Sequence, residues 1–164
     1  MKKRMADGQI KILDCTLRDG GYYNDWDFSL DFARALVSAL NAAGVDIIEL
    51  GYKSVRKDGF FGLFRYCNEQ LLGFLKEFDR AEYAFMVDAS EFTQAGKLDE
   101  AALNSVVLPA AESCFTWSRV AIHAAQIRHA PSFVRYFRER GYKVCVNLMG
   151  VSLLSEAQLM AAID

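Results

Sequence analysis

The chain has few cysteines, little net charge and no long apolar run, and each shortage narrows what it can be. Four cysteines (Cys15, Cys67, Cys114 and Cys145) are scattered with no C-x-x-C pair. That spacing reads as reduced, structural thiols in a cytoplasmic protein, two of them in predicted buried strands. The net charge of −2 argues against a nucleic-acid binder driven by phosphate contacts. No apolar run approaches the ~20 residues that span a bilayer, so no membrane partner is expected. The basic start, Met1 to Gly8, leads into a strand pattern rather than a signal-peptide core. Solenoid repeats, low-complexity tracts and linkers are also missing, and residues 1–164 read as one domain or part of one.

What is present is the composition of a globular protein, with 52% hydrophobic and 24% charged residues over 164 positions. That length can bury a sizeable core. Strand and helix patterns alternate, the mark of a parallel α/β sheet. Strands are predicted at about 10–17, 46–51, 83–87, 119–123 and 143–148. Helices are predicted at about 27–43, with Asp27 as N-cap and Phe32, Leu36 and Leu40 on one face, and at 66–78, 98–103 and 132–140. Gly44 and Gly141 close two of them. Val106 to Leu108 reads as a short strand before Pro109. A last helix begins near Ser155, where Ser155 and Gln158 have capping-box spacing.

The run Ile12-Leu13-Asp14-Cys15-Thr16-Leu17-Arg18-Asp19-Gly20-Gly21 carries the most chemistry. An arginine beside an aspartate, at the C-terminal end of a strand and followed by two glycines, points to a site. Asp19 offers the hard oxygens that Mg²⁺ or Mn²⁺ prefers. Arg18 offers a planar fork for a carboxylate or enolate oxygen. Gly20 and Gly21 leave room for a ligand. Cys15, inside a strand, would point away from Asp14 and Thr16, which disfavours a cysteine nucleophile.

The segment Asp14 to Gly20 resembles the D-x-T-L-R-D-G signature of the metal-dependent aldolase and lyase family that includes 4-hydroxy-2-oxovalerate aldolase and hydroxymethylglutaryl-CoA lyase. The resemblance implies a TIM-barrel fold of parallel β/α units. A full barrel needs ~200 residues or more, so this chain accounts for a partial barrel of about five strands, either a piece of a longer aldolase or a short relative. The implied activity is carbon–carbon bond cleavage or formation next to a 2-oxo acid such as pyruvate. In it, Asp19 is the ligand of Mn²⁺ or Mg²⁺ and Arg18 stabilises the enolate.

Other candidates sit at predicted strand ends, where barrel enzymes keep their chemistry. Glu49, inside Ile47-Ile48-Glu49-Leu50, needs a cationic partner if buried; it would hold Arg18 or move a proton. Asp14, Asp88, His123 and Asn147 are candidates to line a substrate pocket, Asn147 finding its hydrogen-bond partners in the barrel interior. Tyr22, Tyr23, Asn24 and Trp26 would shape the mouth of the site or staple onto the next helix. Two departures from the family stand out. The bacterial aldolases for 4-hydroxy-2-oxo acids carry a histidine base three residues after the metal aspartate, and here that position is Tyr22, a poorer base with an unperturbed pKa near ~10. The family also completes its metal site with a His-x-His pair, whereas this chain has only His123 and His129. Two rival readings follow: a Claisen-type acyltransferase of the isopropylmalate synthase kind, and a non-catalytic partial barrel whose open sheet edges pair with another chain as a homo-oligomer.

Overall fold

The computed structural model describes residues 10–163; the reading of the basic start lies outside them. Five parallel strands form one sheet: β1 (Leu13–Asp14), β2 (Ile47–Tyr52), β3 (Glu82–Asp88), β6 (Trp117–His123) and β7 (Lys143–Met149), hydrogen-bonded in that order. Each strand lies beside the next one in sequence, the arrangement that right-handed β/α units generate, and the sheet curls as a partial TIM-type barrel. A two-stranded ribbon, β4 (Thr93–Gln94) and β5 (Lys97–Leu98), is inserted after β3. Its two-residue turn, Ala95-Gly96, has φ of 49° and 74°, the left-handed pair that tight hairpins demand.

The helices are α1 (Thr16–Gly20), α2 (Leu30–Ala43), α3 (Leu63–Tyr66), α4 (Glu100–Val106), α5 (Ala130–Glu139) and α6 (Glu156–Ile163). Among the described residues no helix is long and apolar enough to cross a membrane. Ser29, not Asp27, caps α2, accepting the backbone N–H of Phe32. The buried face of α2 is then Ala33 and Val37, with Leu36 and Leu40 beside it, while Phe32 turns outward. Gly44 and Gly141, at φ of 84° and 89°, follow α2 and α5 as expected. Ser155 and Gln158 exchange capping-box hydrogen bonds at 3.3 and 2.9 Å.

Other expectations fail as well. The first strand is only two residues long because the chain turns helical at Thr16, and Ile10 and Ile12 are exposed. The helix expected over 66–78 is broken into α3 and two 3-10 turns, since Cys67 takes φ of 42° directly after α3. Val106 closes α4 instead of opening a strand, and Val107 accounts for its apolar character by burial. Cys67 is buried, whereas Cys145, expected inside a buried strand, is exposed on β7.

The main core lies between the sheet and its helices. Phe85 packs edge-on against Phe115, Phe137 and Tyr142, at centroid distances of 5.3–5.9 Å. Ser118, Val120 and Ile122 of β6 are buried on that side; Arg119, Ala121 and His123 alternate to the other, concave side. At the N-terminal end of the sheet, Glu82 collects Lys11, Lys143 and the Trp117 indole. Despite partial burial, hydrogen bonds from Lys143, Trp117 and Lys11 hold its carboxyl down to about 2.

Candidate active site

The signature run sits on α1, one helical turn directly after β1. Cys15 is its N-terminal flank, and Asp19 N–H reaches the Cys15 carbonyl at 2.8 Å. This local turn changes what the motif does. Cys15 Sγ lies 3.0 Å from Asp19 Oδ2, where an extended strand would have sent it away. Burial and that contact push the Cys15 thiol up to about 11, which keeps it protonated and a poor nucleophile.

Of the two glycines, Gly21 serves packing rather than a ligand. Gly20 and Gly21 have helical φ of −62° and −59°, and a Cβ on Gly21 would sit 2.0 Å from Trp26 Cδ1, whereas one on Gly20 would meet only the Phe28 ring, at 3.4 Å. The space belongs to the Trp26 ring, whose Nε1–H donates to the Arg18 carbonyl at 2.8 Å. To bring the ring there, Asp25 and Trp26 adopt φ of 55° and 59°, a conformation that costs non-glycine residues energy and persists only when surrounding contacts enforce it. Of the loop aromatics, Trp26 is thus a buried packing element, and Tyr23 is exposed.

Arg18 is the hub. Its Nε donates to Glu49 Oε1 at 3.0 Å and its terminal nitrogen pairs with Asp19. Glu49 is fully buried, and its second oxygen accepts from Arg119. One carboxylate is therefore shared by two guanidiniums, both with side chains less than 15% exposed. Burial raises the Glu49 pKa, and Arg119 and Arg18 oppose the rise; such a charge is tolerable only because it is paired on both sides. The register between β2 and β3 shifts between Glu49 and Gly51, and bulges of this kind re-aim side chains near sites. Arg119 was not anticipated. The signal available in the sequence was a lone cation in the apolar strand pattern around Val120 to Ile122.

The remaining candidates divide. Asp88, Ala121 and Asn147 lie in one row across β3, β6 and β7, two residues beyond the Met86–Arg119–Cys145 row. Asp88 is engaged locally, accepting from the Ser90 N–H at 2.9 Å and hydroxyl at 2.7 Å. Asp14 likewise accepts from the Thr16 N–H and hydroxyl, at 3.0 and 2.8 Å. Both shape turns. His123 is exposed at the end of β6. Asn147 lacks the expected partner: its buried Oδ1 has no hydrogen bond among the described residues. Tyr22 stands at the rim with its hydroxyl 2.8 Å from that of Tyr52.

A second buried ionic cluster was not foreseen. Lys53 pairs with Glu69 at 2.8 Å and Arg65 with Glu91 at 2.6 Å. Arg65 also lies over the Trp26 and Tyr52 rings, 4.8 and 4.7 Å from their centroids. A cavity of about 640 Å³ opens beside Lys53, between Tyr66–Gln70 and Asn104–Leu108.

As a metal site the residues do not suffice. Among the described residues there is no group of three histidine, cysteine or acidic side chains that could hold an ion. Asp19 contributes one carboxylate, already engaged by Arg18 and Cys15, where a hard divalent ion takes about six ligands.

No family model matches the chain. Over 156 residues, 93% of this chain, it is 26% identical to 4-hydroxy-2-oxovalerate aldolase 4 of Rhodococcus jostii (strain RHA1), of which it covers 40%. A 45-residue stretch is 42% identical to 4-hydroxy-2-oxovalerate aldolase 5 of Rhodococcus opacus (strain B4), covering 27% of this chain and 13% of that protein. The fold superposes on a crystal structure of the N-terminal domain of a candidate aldolase from Bacteroides vulgatus, with a TM-score of 0.74 and 28% identity, over 94% of this chain and 51% of that one. The chain thus spans about two-fifths of the first of these relatives and half of the solved structure. Over nearly all of its length, it resembles the N-terminal part of the aldolase and lyase family to which its opening motif pointed, with 4-hydroxy-2-oxovalerate aldolases as its named relatives.

Proposed function

We propose that the chain is an N-terminal part of an aldolase-type carbon–carbon lyase acting on a hydroxy-2-oxo acid or on a 2-oxo acid such as pyruvate. The observation that carries this reading is the Arg18–Glu49 contact. It fixes a guanidinium at the concave face, with its Nε held by a buried carboxylate and one terminal nitrogen paired with Asp19. A guanidinium held in advance stabilises negative charge developing on an enolate oxygen without reorganising during the reaction. In this reading Asp19, next to it and half exposed, would contribute one ligand to Mn²⁺ or Mg²⁺, the other ligands coming from outside this chain. The four cysteines are free thiols, which supports a reducing, cytoplasmic setting.

The incomplete ligand set favours one alternative specifically: a non-catalytic partial barrel that binds a metabolite or partner chain, with the edges of β1 and β7 open among the described residues. Calorimetry with Mn²⁺, with and without pyruvate, tests the Asp19 site. Micromolar binding that Asp19→Ala abolishes supports the aldolase reading, with the site completed within this chain or its oligomer. A flat titration in both proteins means that the other ligands lie outside this chain, which by itself is then an inactive part of a longer aldolase.

A further inference from the structure

The cavity beside Lys53 lies on the helix side of the sheet, away from the concave face: the Lys53 ammonium stands 5.9 and 5.3 Å from the centroids of the core rings Phe85 and Phe115. It opens where the helix expected over 66–78 breaks at Cys67, between that broken segment and the end of α4. Its volume of about 640 Å³ falls within the range of about 300–1,000 Å³ that small-molecule sites occupy. The Lys53 side chain is 4% exposed, and an ammonium carries three N–H donors. One donor goes to Glu69 at 2.8 Å, and no other acceptor among the described residues lies within hydrogen-bond distance. The surrounding side chains are rich in donors and poor in acceptors. Glu69 is engaged on both oxygens, by Lys53 and by the Cys114 N–H at 2.9 Å. Asn68 Oδ1 accepts the Gln70 N–H at 3.1 Å. Asn104 Oδ1 accepts the Tyr136 hydroxyl at 2.9 Å and a nitrogen of Arg140. Both amides therefore keep their NH₂ groups for the cavity. Lys57 adds an exposed ammonium at the rim, while Asp58 beside it pairs with Arg56.

We infer that this cavity binds a small monocarboxylate with an apolar body, its carboxylate directed to Lys53 and its body against Val55, Val106 and Val107. Three physical reasons converge. Lys53, Lys57 and Glu69 together leave one positive charge uncompensated, which one carboxylate balances. A buried ammonium with unmatched donors gains more from a charged acceptor than from a neutral one, and the rim amides of Asn68 and Asn104 offer donors to the same group. The valines exclude water from the remainder of the guest, a contact that an inorganic anion cannot use. A neutral guest of the same shape leaves the Lys57 charge unbalanced, and a dianion exceeds it. The site lies on the opposite side of the sheet from Arg18, and the inference stands independently of the aldolase-type reading.

The test is a titration of the metal-free chain followed by backbone-amide NMR spectra. The probes are hexanoate and benzoate, with hexanamide as the neutral counterpart of the first and sulfate as an inorganic anion. One or both carboxylates should shift the signals of 53–57 and 104–108 saturably, and the stronger of the two tells whether the body is alkyl or aryl. Hexanamide and sulfate should bind about tenfold more weakly or worse, the loss expected when a charge-assisted hydrogen bond or the apolar contact is missing. Lys53→Met should weaken carboxylate binding by about tenfold or more. Because that variant also strands Glu69, Asn104→Asp serves as a second one. Its carboxylate still accepts Tyr136 and Arg140 but replaces the NH₂ donor with a negative charge, and the affinity should fall by about fivefold or more. Arg18→Met, on the concave face, should leave the affinity unchanged. The inference is overturned by the absence of saturable shifts at about 10 mM of both carboxylates, by equal binding of hexanamide or sulfate, or by loss of binding in Arg18→Met. A flat Mn²⁺ titration bears on Asp19 alone and leaves this result untouched.

Discussion

Replacing Glu49 with glutamine tests the site's electrostatic framework most directly. Glu49 has no exposed surface and receives Arg18 on one oxygen and Arg119 on the other. Glutamine keeps the shape but turns one acceptor into an N–H₂ group facing a guanidinium, donor against donor, and strips the charge that compensates two largely buried cations. Breaking one side of a buried ion pair costs about 3–5 kcal/mol. Here both arginines retain some solvent contact, which places the expected loss near the lower end, about 3 kcal/mol. With urea slopes of roughly 1–3 kcal/mol per M, the unfolding midpoint should fall by about 1–3 M. A double-mutant cycle sharpens the test: adding Arg119→Met to Glu49→Gln removes one stranded cation and should recover part of the loss, giving a coupling of about 1 kcal/mol or more. A Glu49→Gln midpoint within a few tenths of a molar of the parent would mean that the carboxylate does not hold the arginines, and the rationale for a preset Arg18 would go with it.

Two further perturbations probe the scaffold. Gly51→Ala would drive a Cβ to 1.8 Å from the Phe64 backbone carbonyl, so β2 and α3 must separate; a loss of about 2 kcal/mol or more is expected in chemical denaturation, and a neutral result would show that α3 packs elsewhere. Glu82, held at about 2 against an ordinary 4.5, has a lowered folded pKa. Its stabilisation is therefore complete above pH ~4.5 and fades as pH falls towards 2. After solvent screening it amounts to about 1–2 kcal/mol, and Glu82→Gln should flatten the acid limb of stability against pH by that amount.

The strand–helix alternation was decided locally. Ile47-Ile48-Glu49-Leu50 is apolar enough to be a strand wherever it pairs, and Gly44 and Gly141 end helices because their φ values are unfavourable for other residues. The pairing of Arg18 with a buried Glu49 was legible for the same reason: a carboxylate inside an apolar strand has to find a cation. Other features depended on neighbours distant in the chain. Arg119 reaches Glu49 across 70 residues, Trp26 fills the volume that Gly21 leaves vacant, and Arg65 lies over Tyr52 and bonds to Glu91. No local pattern encodes which cation meets which carboxylate, because that depends on strand register and on the side to which each pleat turns. The early helical turn at Thr16 shows the same limit at short range: it brought Cys15 onto Asp19, and Gly21, which read as ligand space, became a seat for a tryptophan ring.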